Sequence, residues 1–169
     1  DVYKRQIESM SSSVEPLRDS EAFRSMFVTL GKNPLLGIFA GTFVTAIIQS
    51  SSASQGILLS LAASGLVPFN AAVYIIMGQN IGTCVTALIS GIGATKTAKC
   101  VGYMHLMFNI TGTIVFSIVA IVYFTVLNPA MGSEIITQTQ ISAIHTIFNI
   151  GTTLMVIPLS NIIIKIAKR

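Results

Sequence analysis

One tract without formal charge constrains this chain more than any other feature. Residues 33–95 include 63 positions and none is Asp, Glu, Lys or Arg. Over residues 101–164 the only residue of these types is Glu134. Crossing the hydrocarbon core of a bilayer takes about 20 helical residues, whereas a helix on a soluble domain needs a polar face every few residues. We therefore expect an all-α integral membrane protein that crosses the bilayer several times.

The positive charges lie at the ends of apolar segments and do not form one patch. Only 9% of the residues are charged, and the net charge is +4. The basic residues that flank the apolar segments are Lys96, Lys99, Lys165, Lys168 and Arg169. This placement is typical of cytoplasmic anchors of membrane helices. It predicts the lipid bilayer as a partner and argues against nucleic acid.

Three regions are expected along the chain. Residues 1–6 read DVYKRQ, which resembles a non-native remnant, so the native chain is expected to continue at this end. Residues 7–32 carry apolar side chains at close to helical spacing, and this pattern predicts an amphipathic helix on the membrane surface. Residues 33–169 are expected to form the membrane-embedded domain.

Residues 49–52, with the sequence QSSS, interrupt the long apolar tract. The runs on either side, residues 34–48 and 53–67, contain 15 residues each, which is about 22 Å as a helix. Because this is short for a crossing, we expect a re-entrant helical hairpin with its tip at the four polar residues. A single long crossing through Ser52 is the alternative.

The sequence GQNIGT, residues 78–83, is a second polar interruption. Two glycines and an asparagine within six residues weaken a helix. We therefore expect residues 69–92 to form one discontinuous transmembrane helix. Two further transmembrane helices are expected at about residues 98–127 and 141–164, the second with a kink at Pro158.

Both interruptions are expected to bring uncharged oxygen atoms to membrane depth. Where a helix breaks, carbonyl and hydroxyl oxygens can replace water around Na⁺, and backbone N–H groups at the positive end of a helix dipole can hold an anion. Paired broken helices are typical of transporters. The polar residues concerned are Thr45, Gln49, Ser50, Ser51, Ser52, Gln79, Asn80, Thr83 and Thr86. The competing interpretation is that these side chains only bond helix carbonyls or pack against neighbours.

Catalysis is not indicated by the sequence. It contains no G-x-S-x-G segment, phosphate-binding loop, metal-ligand cluster or dinucleotide fingerprint, so we expect no catalytic residue and no cofactor. His105 and Asn109 are four residues apart, as are His145 and Asn149, so each pair shares a helix face. We expect interhelical hydrogen bonds from these pairs in preference to contacts with a substrate.

Three segments carry a resemblance to a known family: NPLLGIFAGTFVTAIIQSSSA, GLVPFNAAVYIIMGQNIGTCVTA and AKCVGYMHLMFNITGT. Through them the chain resembles the type II sodium–phosphate cotransporters, closely over residues 33–113. The resemblance implies Na⁺-driven uptake of inorganic phosphate across the plasma membrane, in a bacterium the inner membrane. That family is built from two inverted repeats with one QSSS hairpin each. This chain has one QSSS and is similar to the C-terminal half, so its expected partner is a missing N-terminal half or a second copy of the chain.

The resemblance also implies roles for individual residues. Phosphate contacts would come from Gln49, Ser50, Ser51, Ser52, Asn80 and Thr83. The ligands of Na⁺, the coupling ion, would be Gln49, Ser51, Thr83 and Thr86, with Thr45 and Gln79 as secondary candidates. A fragment of a longer transporter is expected in preference to a dimerising half. The alternative function is a non-transporting membrane scaffold or regulatory module that retains the transporter fold.

Overall fold

The computed structural model describes residues 20–167 together with Arg5 and Ser9. Within this part the helices are α1 (Glu21–Lys32), α2 (Pro34–Ile48), α3 (Ser51–Ala63), α4 (Phe69–Ser90), α5 (Lys96–Val122), α6 (Pro129–Ser133), α7 (Gln138–Val156) and α8 (Ser160–Ala167). A π-helical turn, Tyr123–Leu127, extends α5, and a 3-10 turn, Ile157–Leu159, joins α7 to α8. An isolated bridge between Pro68 and Ile135 is the single β-type pairing in the described residues. The predicted all-α class is confirmed.

Three helical segments are long and apolar enough to cross a membrane, judged by length and composition over the described residues. They are Phe69–Ser90, Lys96–Leu127 and Gln138–Ile166. Helices α1 and α2 meet at an angle of 115° and would add a fourth span if they crossed together. Asn33 produces this bend, because its backbone ends α1 while its side chain accepts from the N–H groups of Leu35 and Leu36 at the start of α2. The bend gives α1 a direction different from that of α2.

Of residues 7–32, for which a surface helix remains a prediction, the structure describes α1 as helical. Ser20 caps its N-terminus, Glu21 stands in its first turn and Lys32 in its last, and each charge suits its end of the helix dipole. Its buried residues are Phe27 and Gly31, and most of its other residues are exposed. Residues 1–4, 6–8 and 10–19 lie outside the described part of the chain, and so does most of the segment interpreted as a remnant.

The segments α2 and α3 form the predicted hairpin. Helices α2 and α4 run parallel: Gly37 near the start of α2 lies against Tyr74, and Thr45 near the end of α2 lies against Gly82. Helix α3 then runs back along α4, because its start is bonded to Gln79 while its end leads into α4 at Phe69. The two arms are therefore antiparallel to each other, and the chain reverses at residues 49–50.

Helix α4 is continuous, so the predicted break at residues 78–83 is wrong. It runs from Phe69 to Ser90 without interruption. Residues 71–80 are all buried, and α4 lies at the centre of the fold with α1, α2, α3, α5, α6 and α7 packed around it. Apolar clusters fill both of its sides: one includes Leu58 and Ile76, the other Met77 and Phe148.

Glycines in GQNIGT serve close helix packing and do not break the helix. A Cβ atom on Gly78 would overlap the carbonyl oxygen of Ile38, and one on Gly82 would lie 2.7 Å from the carbonyl oxygen of Thr42. Likewise, a Cβ atom on Gly41 of α2 would overlap the backbone of Ile75 in α4. The Thr42 hydroxyl also donates to the Gly78 carbonyl oxygen at 3.1 Å. Small residues four apart on both helices let the backbones touch, as in closely packed membrane helices; we call this contact the glycine seam.

Two long helices, α5 and α7, cover the opposite side of α4. Asn109 of α5 donates to the Cys84 sulfur of α4 at 3.2 Å, which confirms an interhelical hydrogen bond for this residue. Asn149 donates instead within its own helix, to the His145 carbonyl oxygen at 2.8 Å, so the same prediction is wrong for Asn149. His105 is exposed and His145 half-buried, and within the described part of the chain neither ring takes part in a hydrogen bond.

The outer faces of α5 and α7 are apolar and exposed. Ile114, Ile118 and Leu154 are each more than half exposed, at 56%, 58% and 66%. A soluble monomer rarely shows an apolar surface of this extent, so these faces suit lipid or another membrane-embedded partner. A 3-10 turn stands at Pro158, where the kink was expected.

One buried hydroxyl in this helix pair gives a first prediction. The Thr152 Oγ1 atom is fully buried against Gly112 and has no hydrogen-bond partner among the described residues. Because an unpaired buried hydroxyl is unfavourable and valine has nearly the same shape, we expect Thr152→Val to leave the thermal unfolding midpoint unchanged or to raise it. A clear fall in the midpoint, measured in detergent micelles, would show that this hydroxyl has a partner after all.

Candidate functional site

The hairpin tip is a sharp turn at Gln49 and Ser50. Gln49 has φ 54° and ψ 25°, the left-handed conformation, and is the only non-glycine residue with positive φ in the part that the structure describes. Its N–H group still donates to the Thr45 carbonyl oxygen at 2.8 Å, which completes the last turn of α2. The left-handed residue then reverses the chain direction, and its side chain remains exposed.

Helix α3 begins at this tip with free hydrogen-bond donors. Ser50 caps the helix, because its Oγ atom accepts from the Ala53 N–H at 3.3 Å and its carbonyl oxygen accepts from the Ser54 N–H at 3.0 Å. The N–H groups of Ser51 and Ser52 precede the first helical hydrogen bond and have no partner within the helix. Both serines are exposed. The tip therefore presents two backbone N–H groups and two hydroxyls at the positive end of a helix dipole, which is a setting for an anion.

The C-terminal end of α2 supplies the opposite polarity at the same tip. Its last carbonyl oxygens have no helical partner, and they carry the negative end of the dipole. No basic residue stands in the last turn of α2 and no acidic residue in the first turn of α3. Acceptors suited to a cation and donors suited to an anion thus lie side by side without a formal charge.

A buried polar network lies about one helical turn behind the tip. The Thr45 and Ser54 hydroxyl oxygens are 2.7 Å apart. The Gln79 Nε2 group donates to the Ser54 carbonyl oxygen at 3.1 Å and to the Ser54 Oγ atom at 3.0 Å. Thr45, Ser54 and Gln79 are only 0%, 2% and 5% exposed. This network joins α2, α3 and α4, and we call it the oxygen cluster.

Polar residues of α4 beyond Gln79 bond within their own helix. Asn80 donates to the Ile76 carbonyl oxygen at 2.9 Å, and the Thr83 hydroxyl donates to the Asn80 carbonyl oxygen at 2.6 Å. Thr86 donates to the Thr83 carbonyl oxygen at 2.9 Å. Over the described residues, no hydrogen bond connects these three side chains to the hairpin tip. They lie on the helix that faces the tip but do not complete a closed site with it.

The structure therefore divides the predicted site residues into three groups. Gln49, Ser50, Ser51 and Ser52 form the tip; Thr45 and Gln79 belong to the oxygen cluster; Asn80, Thr83 and Thr86 stay on α4. Ser54 was missed by the sequence interpretation, although it links the other two members of the cluster. The sequence held a signal for it, because Ser54, Leu58 and Ala62 recur at intervals of four and so share one helix face. In the structure that face is buried.

The geometry first defines a class of protein. A charge-free helical hairpin that exposes two helix ends at a polar tip, packed on a central apolar helix, is the kind of site found in ion-coupled membrane transporters. The profile of the family described as Na+/Pi-cotransporter matches residues 6–132. The chain belongs to this family, and the resemblance to sodium–phosphate cotransporters is confirmed.

The chain spans less than half the length of each of the following relatives. It is 31% identical over 132 residues to the Uncharacterized protein YqeW of Bacillus subtilis (strain 168), which covers 76% of the chain and 41% of the relative. It is 51% identical over 57 residues to the Sodium-dependent phosphate transport protein 2B of Homo sapiens, covering 34% of the chain and 8% of the relative. The corresponding 2A protein of Rattus norvegicus is 49% identical over 57 residues, with 34% and 9% covered. No solved structure matches the chain significantly.

Proposed function

We propose that the chain acts in Na⁺-coupled uptake of inorganic phosphate across the plasma membrane, in a bacterium the inner membrane, as one half of a two-repeat transporter. The observation that carries this proposal is the hairpin tip, where the N-terminus of α3 and the C-terminus of α2 meet at the sequence QSSS. Membership of the Na+/Pi-cotransporter family supports the same substrates. We also propose that the chain transports its substrate and does not catalyse a reaction.

Electrostatics explains why phosphate and Na⁺ would bind together at this tip. Residues 33–95 contain no Lys or Arg, so an anion at the tip meets no basic side chain from α2, α3 or α4 and would be held by N–H groups, hydroxyls and the dipole of α3. Burying a dianion with these partners alone is unfavourable. A Na⁺ ion held by oxygens nearby offsets part of that charge, and each ion then favours the binding of the other. Coupled binding follows from the absence of fixed positive charge.

Most side chains at the hairpin tip are exposed, which supports the proposal that a second protein segment completes the site. Gln49, Ser51 and Ser52 point away from the core and are exposed, so phosphate held by them would remain open on one side. We propose that a second hairpin, from an N-terminal repeat or from another copy of this chain, closes that side. Asn80, Thr83 and Thr86 would then join the site through a change at α4, since their side chains now bond within the helix.

The alternative function is a non-transporting membrane scaffold or regulatory module. One observation favours it: the three polar side chains of α4 are already satisfied by their own helix, as structural residues would be. A scaffold should tolerate the loss of any tip hydroxyl, whereas a transporter should not.

Phosphate binding to the purified chain in detergent tests the proposal directly. We expect radiolabelled phosphate to bind in NaCl and not in KCl at the same ionic strength. Ser51→Ala should weaken this binding about tenfold or more, because a hydrogen bond to a charged group contributes about 1.5–3 kcal/mol. Ser142→Ala is the matched control, since Ser142 is exposed on α7 and donates only to the Gln138 carbonyl oxygen.

Two outcomes would contradict the proposal in different ways. Equal phosphate binding by Ser51→Ala and Ser142→Ala would remove the tip from the site. Phosphate binding that is absent even after an N-terminal repeat is supplied, for example by co-expression, would favour the scaffold.

A further inference from the structure

A half-open cavity lies where α4 ends and α5 begins. Its volume is about 220 Å³, which is room for roughly seven water molecules. The residues that line it belong to the last turn of α4, to the loop after it and to the first two turns of α5; they include Ala87, Leu88, Gly91, Ile92, Lys99 and Tyr103. No residue of the hairpin α2–α3 lines it, so this cavity is separate from the hairpin tip.

Lys99 and Tyr103 bring two polar groups to the wall of this cavity. They are four residues apart on α5 and therefore share one face of that helix. In the part of the chain that the structure describes, neither the Lys99 ammonium nor the Tyr103 hydroxyl has a hydrogen-bond or ion-pair partner. The stem of Lys99 lies along Gly91, where a Cβ atom would be 3.7 Å from the Lys99 Cγ atom. A positive charge and a hydroxyl donor thus border one space, and this combination suits an anionic oxygen.

The end of α4 does not need Lys99 as a cap. A lysine near a helix C-terminus can bond the last carbonyl oxygens. Here the Gly91 N–H group donates to the carbonyl oxygens of Ala87 and Leu88, both at 3.1 Å, and the Ile92 N–H group donates to that of Ile89 at 3.0 Å. Because the backbone already caps these groups, the Lys99 ammonium remains available to a ligand.

The two lysines at this end of α4 have no acidic residue near them in the sequence. From residue 33 to residue 133, Lys96 and Lys99 are the only charged residues. Glu134 follows, but it lies at the opposite end of α4, where its carbonyl oxygen accepts from the Phe69 N–H group at 2.8 Å. An anion in the cavity therefore meets positive charge without a carboxylate that competes for it.

Helix α8 adds a third lysine to the same end of the molecule. Helices α5 and α7 are antiparallel, because Gly112 lies against Thr152 while Phe116, further along α5, lies against Gly151. Helix α8 follows α7 and packs on α5, so it runs along the first part of α5. Lys165, in the last turn of α8, therefore stands at the end that holds the cavity.

Apolar side chains beside the cavity indicate that its ligand lies in the bilayer. Ile92, in the cavity wall, is 80% exposed, and Ile89 and Val101 are 48% and 61% exposed. The cavity is at the shared end of two segments that are long and apolar enough to cross a membrane, Phe69–Ser90 and Lys96–Leu127. Basic pockets between membrane helices suit anionic lipid headgroups, and tyrosine is enriched at this depth. Inorganic phosphate would gain nothing from the exposed isoleucines, whereas acyl chains would cover them.

We infer that the cavity between α4 and α5 binds the headgroup of an anionic phospholipid. The lipid phosphate lies between the Lys99 ammonium and the Tyr103 hydroxyl, and the acyl chains lie along the exposed isoleucines at the end of α4. The bound lipid ties the α4–α5 turn to the membrane leaflet that carries anionic lipids. This site is independent of the proposed function, which rests on the hairpin tip.

Lipid binding to the purified chain in micelles of a neutral detergent tests the site. Native mass spectrometry measures the fraction of chains that carry a lipid as phosphatidylglycerol or phosphatidylcholine with the same acyl chains is added. Both lipids have a phosphodiester, but only phosphatidylglycerol has a net negative charge. A neutral micelle has no surface potential, so a preference reports a local site. We expect phosphatidylglycerol to bind about fivefold more tightly or better, the factor that one lysine near an anionic lipid contributes.

Three substitutions separate a pocket from general attraction to positive charge. Lys99→Gln should weaken phosphatidylglycerol binding about fivefold or more, whereas Lys99→Arg should retain it. Tyr103→Phe removes only the hydroxyl and should weaken binding about threefold or more. Lys96→Gln is the matched control, because Lys96 is exposed on the same helix and does not line the cavity; it should change binding by less than about twofold. Far-ultraviolet circular dichroism checks that each variant is folded, which we expect because both lysines are exposed.

Two results would overturn the inference on lipid binding alone. One is equal binding of the two lipids by the unchanged chain. The other is an equal loss of phosphatidylglycerol binding in Lys99→Gln and Lys96→Gln, which would mean that any positive charge at this end attracts the lipid.

Inorganic phosphate binding, measured on the same samples, keeps this inference distinct from the proposed function. We expect Lys99→Gln to bind inorganic phosphate like the unchanged chain, and Ser51→Ala to bind phosphatidylglycerol like the unchanged chain. If inorganic phosphate displaces the lipid and its own binding is lost in Lys99→Gln, the cavity takes the free anion and the lipid site is wrong. If phosphatidylglycerol binds through Lys99 but inorganic phosphate does not bind at all, the lipid site stands and the proposed function fails.

Discussion

Gly78→Ala is expected to lower the free energy of unfolding by about 3 kcal/mol, at the upper end of the effects of overpacking. The added Cβ atom would overlap the carbonyl oxygen of Ile38 and would lie 2.8 Å from the Thr42 nitrogen. Because both obstacles are backbone atoms, no side-chain rotation relieves the overlap, and α2 must move away from α4. The hydrogen bond from Thr42 to the Gly78 carbonyl oxygen would be lost as well. Thermal or denaturant unfolding in micelles measures the effect.

Gly132→Ala is the control for this substitution. The nearest atoms to an added Cβ at Gly132 are 3.4 Å away, which is ordinary contact. Its free energy of unfolding should therefore change by no more than about 0.5 kcal/mol. If both alanine variants unfold alike, α2 and α4 are not packed backbone to backbone.

Gln49→Pro should abolish Na⁺-dependent phosphate binding and lower the free energy of unfolding by about 3 kcal/mol. Proline fixes φ near −65°, whereas Gln49 has φ 54°. Proline also lacks the N–H group that donates to the Thr45 carbonyl oxygen. The tip would therefore lose its shape, and the N–H groups of Ser51 and Ser52 at the start of α3 would be displaced. Equilibrium phosphate binding and thermal unfolding on one sample measure both effects.

Gln49→Gly separates the backbone of the tip from the Gln49 side chain. Glycine adopts positive φ freely, so the fold should be retained or slightly stabilised. Weaker phosphate binding in this variant would then report the lost amide. Phosphate binding by Gln49→Pro at the level of Gln49→Gly would mean that the left-handed turn is not needed for the site.

The sequence predicts the hairpin because its signal is local. Gln49 and three serines follow 15 residues of apolar helix, and serine is a preferred N-cap, so the chain could be expected to stop and restart there. In the structure Ser50 does cap α3, because its side chain accepts from the Ala53 N–H group. The charge-free tract likewise predicts the membrane class, since composition alone excludes an ordinary soluble domain.

The break in α4 could not be excluded from local sequence, because glycines have two uses. In GQNIGT they weaken an isolated helix, but they also permit close approach to another helix. What decides between these uses is the partner: Gly37 and Gly41 on α2 have the same spacing of four as Gly78 and Gly82. Matching this pair across the chain would have predicted the seam. The role of Gln79 depends on the seam, since only an unbroken α4 places its amide against Ser54.

The glycine seam also bears on how this fold can change shape. Interlocked backbones leave no soft layer of side chains between α2 and α4, so the two helices cannot slide past one another and should travel as one rigid body. Arm α3 is held to that body near its start by one small set of polar contacts at Ser54. A change of shape in the hairpin would therefore have to come from α3 and from the left-handed turn at Gln49, and it would also have to release Leu58 and Ala62 from the apolar cluster that holds α3 to α4.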